Sequence, residues 1–344
     1  MDSASPLSYQ ATVTTSARLH MGFFDLTANH SASNSARVFG GLGLSIDAPC
    51  TQIKILPSNK LHIAVESGAN VAVESGTNAT KIIENLVKSF KLDCSVQVQI
   101  LQSIPPHVGL GSGTQMALAI GTGLNQLFNL DLTLAQLAHA TVRGKRSGIG
   151  IGAFAQGGFL LDAGKSIAKQ CDEIPAISKR LAFPDDWRVL LVLDTHHKGV
   201  HGAAEIQAFQ NLPPAKNTLR SMVVEDMLPA LQRADLLAFG AYMADLQAYN
   251  GAYFAPIQGG RFASQDVAKV LAWLQQNGAA CVGQSSWGPT GFAILENQQQ
   301  SESLQTEAQL VFADMPNISF RIVRGKNTGA SFSKSSITKP AFVK

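Results

Sequence analysis

The stretch SIPPHVGLGSGTQMALAIG, Ser103 to Gly121, sets Gly109, Gly111 and Gly113 in front of an apolar run at helical spacing. Backbone N–H groups at the start of a helix lack intrahelical acceptors, and the helix dipole adds partial positive charge there. Such a segment favours an anion, with a phosphate or diphosphate as the natural occupant. The glycines allow close approach, and Ser112 and Thr114 offer hydroxyls to a phosphate oxygen or a metal-bound water. Leu110 and Gln115 complete the segment expected to touch the ligand. No Lys-Ser/Thr pair follows the last glycine, which excludes a Walker loop, and the GxGxG spacing deep in the chain does not suit a dinucleotide fingerprint. On the loop alone, a tight strand-to-helix turn explains the same glycines.

Other residues gather around this centre. Arg18 and His20 alternate along one expected strand and can share a face, with Asp25 just past its end. Arg18 suits an anionic group through a bidentate fork, or an ordinary surface ion pair. Asp25 suits Mg²⁺, a substrate amine or a plain turn. His20 suits an orienting role or simple packing. Arg143, Lys145 and Arg146 in RGKRSG fit a sugar phosphate, as does a solvated helix end. In DTHHKGVHG, His197 and His201 are four apart, but Gly199 and Gly202 disfavour a continuous helix that would make them metal ligands. A substrate-proximal loop is the better reading there, with Lys198 or His201 near phosphate and Glu205 as a capping or metal-associated carboxylate. Late in the chain, GQSSWGPTG offers Gln284, Ser285 and Ser286 to a ligand and Trp287 as packing or a lid.

The elements that must position these residues follow from periodicity. The first hundred residues read as strands: QATVTTSARLHMGFF, LGLSIDAP, TQIKIL and LHIAVE. From Thr77 the period becomes helical, with Thr77 or Asn78 as cap, and CSVQVQIL returns to alternation before the glycine loop. A mostly buried helix starts near Ser112 and another spans Thr133 to Val142, before strands FLLDAG and RVLLVLDT. A boundary near Asp185 divides the chain into residues 1–185 and 186–344. Beyond it, helices are expected at Ala203–Gln210, Met227–Tyr249 and Gln265–Gln276, alternating with strands ACVGQ, GFAILE and ISFRIV. That is an α+β layer arrangement. The part after Ser331 reads as a basic solvated tail.

Composition bounds the function. The 344 residues are 45% hydrophobic and 15% charged, with no apolar run of membrane length, so no membrane partner is expected. A net charge of +3 is too small for a nucleic-acid binder. Cys50, Cys94, Cys171 and Cys281 are scattered without a CxxC pair, as in a reducing compartment. MDSASPLSYQ lacks the pattern of a secretory signal, and a cytoplasmic location is expected.

PPHVGLGSGTQMALA resembles the phosphate loop of the GHMP superfamily, whose usual form is Pro-x3-Gly-Leu-Gly-Ser-Ser-Ala. The resemblance implies a two-domain α+β fold, with a βαβ-rich phosphate-loop domain followed by a ferredoxin-like α/β-sandwich domain. Kinases of the superfamily commonly carry Ser-Gly-Val-Asp after the loop helix, where the aspartate serves the acceptor hydroxyl. Here the segment is SGIG, and Gly150 can neither accept a proton nor orient a hydroxyl. SARLHMGFFDL, VGLGSGTQMALAIG, RGKRSGIGIGAFAQGGFLLDAG and GQSSWGPTGFAI together resemble the β-ribofuranosylaminobenzene 5′-phosphate synthase family, and NTGA with Asn327 adds weaker support. That resemblance implies joining 4-aminobenzoate to 5-phosphoribosyl 1-diphosphate, with loss of CO₂ and diphosphate, in tetrahydromethanopterin biosynthesis. It implies Mg²⁺, for which Ser112, Asp25 and Glu205 are the candidate ligands, no organic cofactor and a homodimer. Arg18 is then expected on the aminobenzoate carboxylate, and Arg143, Lys145 and Arg146 on the ribose 5′-phosphate. An ATP-dependent small-molecule kinase, or a noncatalytic binding protein on the same fold, remains the alternative.

Overall fold

A computed structural model of the chain describes residues 8–26, 37–66, 73–166, 173–197, 199, 215 and 218–337. Lys198, His201, Glu205, Cys171 and the helix expected at 203–210 lie outside them. Strand β1 (Ser8–Asp25) buries Ala11, Val13, Ala17, Leu19 and Met21, the alternation that makes one face of a strand a core face. It pairs antiparallel with β3 (Gly40–Ser58) through register shifts at Ser16/Arg18, His20/Gly22 and Phe23/Asp25. Such bulges re-aim side chains, and here they fall on the segment that carries Arg18, His20 and Asp25.

The first sheet runs β13-β1-β3-β5-β4, with β6 (Phe159–Asp162) on β3 and β8 (Ile177–Leu181) on β6. Within it, β4 (His62–Val65) pairs parallel with β5 (Ser95–Gln102). A short ladder joins β2 (Arg37–Val38) to β7 (Lys165–Ser166). Helices α1 (Val73–Phe90) and α2 (Ser112–Phe128) cover the sheet, with Ile82, Ile83 and Leu86 of α1 in one core with Met116, Leu118 and Ile120 of α2. Because β5 carries the chain back between them, both helices start at the same end of the sheet. Helix α3 (Leu134–Ala140) is capped by a Thr133–Gln136 capping box, and α4 (Ile149–Ala155) follows RGKRSG.

The second sheet has the order β10-β11-β9-β12 and is antiparallel throughout, from β9 (Arg188–Asp194), β10 (Cys281–Gln284), β11 (Gly291–Leu295) and β12 (Ile318–Val323). With helical segments between β9 and β10 and between β11 and β12, this is the expected ferredoxin-like order. Helices α5 (Leu228–Gln232) and α6 (Leu236–Gln258) precede α7 (Gln265–Gln276), and α8 (Gln298–Val311) follows β11. Val267, Val270 and Leu274 of α7 and Leu304 of α8 pack on one face of this sheet. Its other face shares a core with the first sheet, where Phe159 and Trp187 meet Phe239 at ring distances of 5.7 and 5.5 Å.

Several expectations need correction. The tail after Ser331 is a strand: β13 (Ser331–Ile337) pairs with β1 from Thr14 back to Ser8, so residues 186–344 are not one unit to their end. Its serines and Lys334, read as solvated, suit an edge strand. LGLSIDAP and TQIKIL fuse into the single strand β3. Helix α1 starts at Val73 rather than Thr77: Ser75 is buried with its hydroxyl on Ser103, so tertiary burial extends the helix past the apparent cap. The helix expected from Met227 to Tyr249 is interrupted at 233–235, where Ala234 has φ 53° and Asp235 caps α6. Helices α4 and α8, rich in glycine and in Gln/Ser respectively, carry too little apolar periodicity to be foreseen.

Candidate active site

The glycine loop joins β5 to α2, and its two key glycines adopt left-handed conformations, Gly109 and Gly111 both at φ +83°. Gly111 is the N-cap of α2 and no side chain caps the helix. The N–H groups of Ser112 and Gly113, which have no intrahelical acceptor, therefore remain available to an anion. Arg18 is fastened over this point: its backbone N–H donates to Leu110 O at 3.1 Å and its Nη1 to Gly109 O at 2.6 Å. A Cβ on Gly111 would stand 3.2–3.4 Å from the Arg18 side chain, and one on Gly113 would stand 3.0 Å from Arg143 Nη1. The loop and both guanidiniums thus share one locus.

They open into a cavity of about 520 Å³ lined by Gly109, Gly111, Ser112, Gly113, Thr114, Arg18, Arg143 and Arg146. The opposite wall comes from the start of α1, through Glu74, Ser75, Thr77, Asn78 and Lys81, with His107, Ser286 and Trp287 at the rim. His107 Nε2 lies 2.5 Å from Glu74 Oε1. Sequence reasoning missed the α1 wall and His107, because only the parallel packing of α1 beside α2 brings them to the loop. The one available signal was His107 inside the loop motif itself.

The late glycine-rich segment clamps the other side. Ser285 Oγ donates to Gly109 O at 2.7 Å and accepts from His20 N at 3.1 Å, Thr290 Oγ1 donates to Val108 O at 2.7 Å, and Ser286 N donates to His20 O at 2.9 Å. His20 is buried, and that burial, with Arg18 and Arg146 nearby, lowers its pKa to about 3, so its imidazole is neutral. Its Nε2 has no hydrogen-bond partner among the described residues. The His20 residue also lines a second, small cavity of about 30 Å³ shared with Phe23, Phe254, Gln284 and Trp287.

Asp162 ties the arginine segment in place. Fully buried, it accepts from Gly41 N, Gly164 N, Gly148 N and Ser147 Oγ at 2.7–3.0 Å. Burial pushes its carboxyl pKa up against the lowering effect of these hydrogen bonds. Ser147 and Gly148 directly follow Arg146, so the buried carboxylate fixes where that side chain starts.

Not every expected residue faces the ligand space. Leu110 is a core side chain, and Gln115 is fully buried with its amide spent on Thr15 Oγ1 and the Gly150 carbonyl. Lys145 lines an outer cleft with His139, Val142, Ile174 and Arg143, which also lines the large cavity. Ser285 is fully buried and its hydroxyl is engaged as above. Gln284 lines the small cavity only; its side chain bonds Gln258, Ser286 O and Ala263 N. Asp25 is buried, 3.4 Å from Arg220, and lines neither cavity. Asn327 bridges to the backbone of Phe183 with both ends of its amide. Arg18 lies along the glycine loop, with its Nη1 on the Gly109 carbonyl. Gly150 sits where a Cβ would be 3.2 Å from Thr114 Cγ2, on the first turn of α2.

Of the residues expected to hold magnesium, Ser112 alone is at the cavity among the described residues. No group of three or more His, Cys, Asp or Glu suited to a metal occurs among them. One hydroxyl and Glu74 do not build a protein cage for Mg²⁺, which demands six well-placed oxygens. Nor is any helix of the described residues long and apolar enough to cross a membrane.

Against known proteins, the GHMP kinases N terminal domain family matches residues 77–158 and the GHMP kinases C terminal family residues 227–314. A beta-ribofuranosylphenol 5′-phosphate synthase of Methanocaldococcus jannaschii is 31% identical over 306 residues, 82% of this chain and 88% of that protein. Its namesake in Archaeoglobus fulgidus is 30% identical over 298 residues, 82% of this chain and 87% of that one. Among solved structures, a homoserine kinase from Cytophaga hutchinsonii shares the fold, with a TM-score of 0.60 at 15% identity, covering 97% of this chain and 99% of that one.

Proposed function

The chain belongs to the beta-ribofuranosylphenol 5′-phosphate synthase family, and from that premise we propose that it joins 5-phosphoribosyl 1-diphosphate to a para-substituted benzoate, releasing CO₂ and diphosphate. It is an enzyme, a pentosyl transferase built on the GHMP fold. The observation that carries the reading is the uncapped start of α2 with Arg18, Arg143 and Arg146 around it. A departing diphosphate gathers negative charge, and fixed amide donors and guanidiniums aimed at that point stabilise it more than the intact substrate.

As the C1–oxygen bond breaks, positive charge grows on the ribose. The ring carbon bearing the carboxylate, made electron-rich by the para donor, attacks C1. The new C–C bond leaves a cationic ring, which regains aromaticity when the C–CO₂⁻ bond breaks and its electron pair returns to the ring. The donor is an amine if the acceptor is 4-aminobenzoate and a hydroxyl if it is 4-hydroxybenzoate; the relatives' name specifies a phenol product. Trp287 and Ser286 line both cavities, and the acceptor is placed along them in the large one, which also holds the glycine loop. A neutral His20 beneath them adds no charge that would oppose a ribosyl cation. Mg²⁺ bound with the substrate would neutralise part of the diphosphate's charge, and Ser112 is the expected ligand placed at the cavity among the described residues.

Among the described residues, a kinase on this scaffold lacks an evident base. Gly150 supplies none, and Glu74, the carboxylate lining the cavity, is engaged by His107. The expected setting is cytoplasmic, as a homodimer serving tetrahydromethanopterin synthesis. The test incubates the protein and Mg²⁺ with phosphoribosyl diphosphate and carboxyl-labelled 4-aminobenzoate or 4-hydroxybenzoate. Label released as CO₂ identifies the acceptor; no release from either overturns the reading, and parallel ATP turnover with candidate alcohols tests the kinase.

A further inference from the structure

The large cavity has two unlike walls. One is the glycine loop with its three arginines. The other is a face of α1 on which Glu74, Asn78 and Lys81 recur at i, i+4 and i+7, spread over about 10 Å of helix. Met116 of α2 lies in the groove between them, and Ser75, Thr77 and Ser103 make the rest of this wall polar. A nucleobase would ask for a flat apolar or aromatic slot; hydroxyls, an amide and an ammonium suit a sugar phosphate.

Phosphoribosyl diphosphate carries an anion at each end of its ribose, and the loop wall accounts for one of them. Arg18 lies against Gly111 and Arg143 against Gly113, while Arg146 is close enough to His20 to depress its pKa alongside Arg18. Lys145 faces the outer cleft. Among the described residues, the basic side chains of the cavity away from the loop arginines are His107 and Lys81, and His107 is engaged by Glu74. The Glu74 carboxylate also repels a phosphate from its own end of the α1 face, leaving the Lys81 end as the favourable one.

We infer that Lys81, with Asn78 beside it, holds the 5′-phosphate of the substrate and so turns C1 and its leaving group toward the glycine loop. This rests on the reading of phosphoribosyl diphosphate as substrate, and it moves the 5′-phosphate from the RGKRSG segment to α1. Lys81 is a positioning residue: it touches a part of the substrate that does not react, and that binding energy aligns the part that does.

Calorimetric titrations of the full chain with two separate probes, ribose 5-phosphate and inorganic diphosphate, test the assignment. Lys81→Gln should weaken ribose 5-phosphate about tenfold, the scale of one charge-assisted hydrogen bond, while diphosphate stays within about twofold. Lys81→Arg should restore ribose 5-phosphate binding, and Arg143→Gln should show the opposite selectivity. Lys81 is exposed, so its variants leave the core intact. Equal loss of both probes, an unchanged ribose 5-phosphate affinity, or no ribose 5-phosphate binding by the unsubstituted protein at millimolar concentration overturns the inference. Failure of the transferase reading shows differently: both probes bind with the stated selectivity, yet no CO₂ is released.

Discussion

Two glycine-rich segments meet at the centre of the molecule, and they use their backbone in opposite ways. The loop Gly109–Gly113 leaves donors open: no side chain caps α2, and its glycines clear space for an incoming group. The late segment Gln284–Thr290 has spent its donors inside the protein. Ser285 N bonds Thr290 O, Gly288 N bonds Ser285 O, Ser286 N bonds His20 O, and two hydroxyls are fastened to the carbonyls of Gly109 and Val108. Glycine content alone does not separate a ligand cradle from a weld; which N–H groups already have acceptors does.

Four substitutions can break or sharpen that contrast. Arg18→Ala removes a cation from the cradle and should lower kcat/KM about a thousandfold, measured as CO₂ release, on the scale of a lost transition-state contact of about 4 kcal/mol. Near-normal kinetics would remove Arg18 from the cradle. Gly111→Val places a β-branched side chain at φ +83° against Arg18, and should weaken diphosphate about a hundredfold by calorimetry. On the weld side, Ser285→Ala strips Gly109 O and His20 N of a partner. It should cost about 1–3 kcal/mol in urea unfolding while diphosphate affinity in the folded protein stays near normal. A Ser285→Ala protein that keeps its stability and loses diphosphate would reverse the roles of the two segments.

The remaining substitution is at His20, which lies under both. Its pKa is about 3 in the folded protein against 6.5 when unfolded, so between those values the unfolded chain binds more protons. The stability contributed by a neutral His20 is complete above pH 6.5 and is lost as pH falls toward 3. The unsubstituted protein should therefore lose up to about 1.4 kcal/mol per pH unit more than His20→Phe across that window. Parallel urea midpoints from pH 7 to pH 4 measure the difference, and coincident slopes would show that His20 titrates normally.

What the sequence made legible follows the range of the interactions involved. The strand–loop–helix unit around Ser112 was readable because local periodicity and turn chemistry specify it within twenty residues. Gln265–Gln276 was readable to the residue, since Ser264 caps it and the apolar positions recur on one face. The role of Gln115 was not, because only a neighbour a hundred residues earlier, Thr15, shows that its amide faces inward. Asp25 misled for a similar reason: the register shift at Phe23/Asp25 carries it away from Arg18 and His20 toward Arg220. Lys81 and His107 needed the parallel packing of α1 and α2, and β13 needed a partner strand at the far end of the chain.

That last pairing has a consequence for biosynthesis. Strand β1 leaves the ribosome well before β13, which covers its outer edge. At about 5–20 residues per second, the roughly 300 residues between them take on the order of 15–60 s to make. Throughout that interval the edge of β1 from Ser8 to Thr14 is an open template for another strand, and a nascent neighbour on the same messenger is the nearest competitor. Arrival of β13, rather than any local folding step, closes the first sheet.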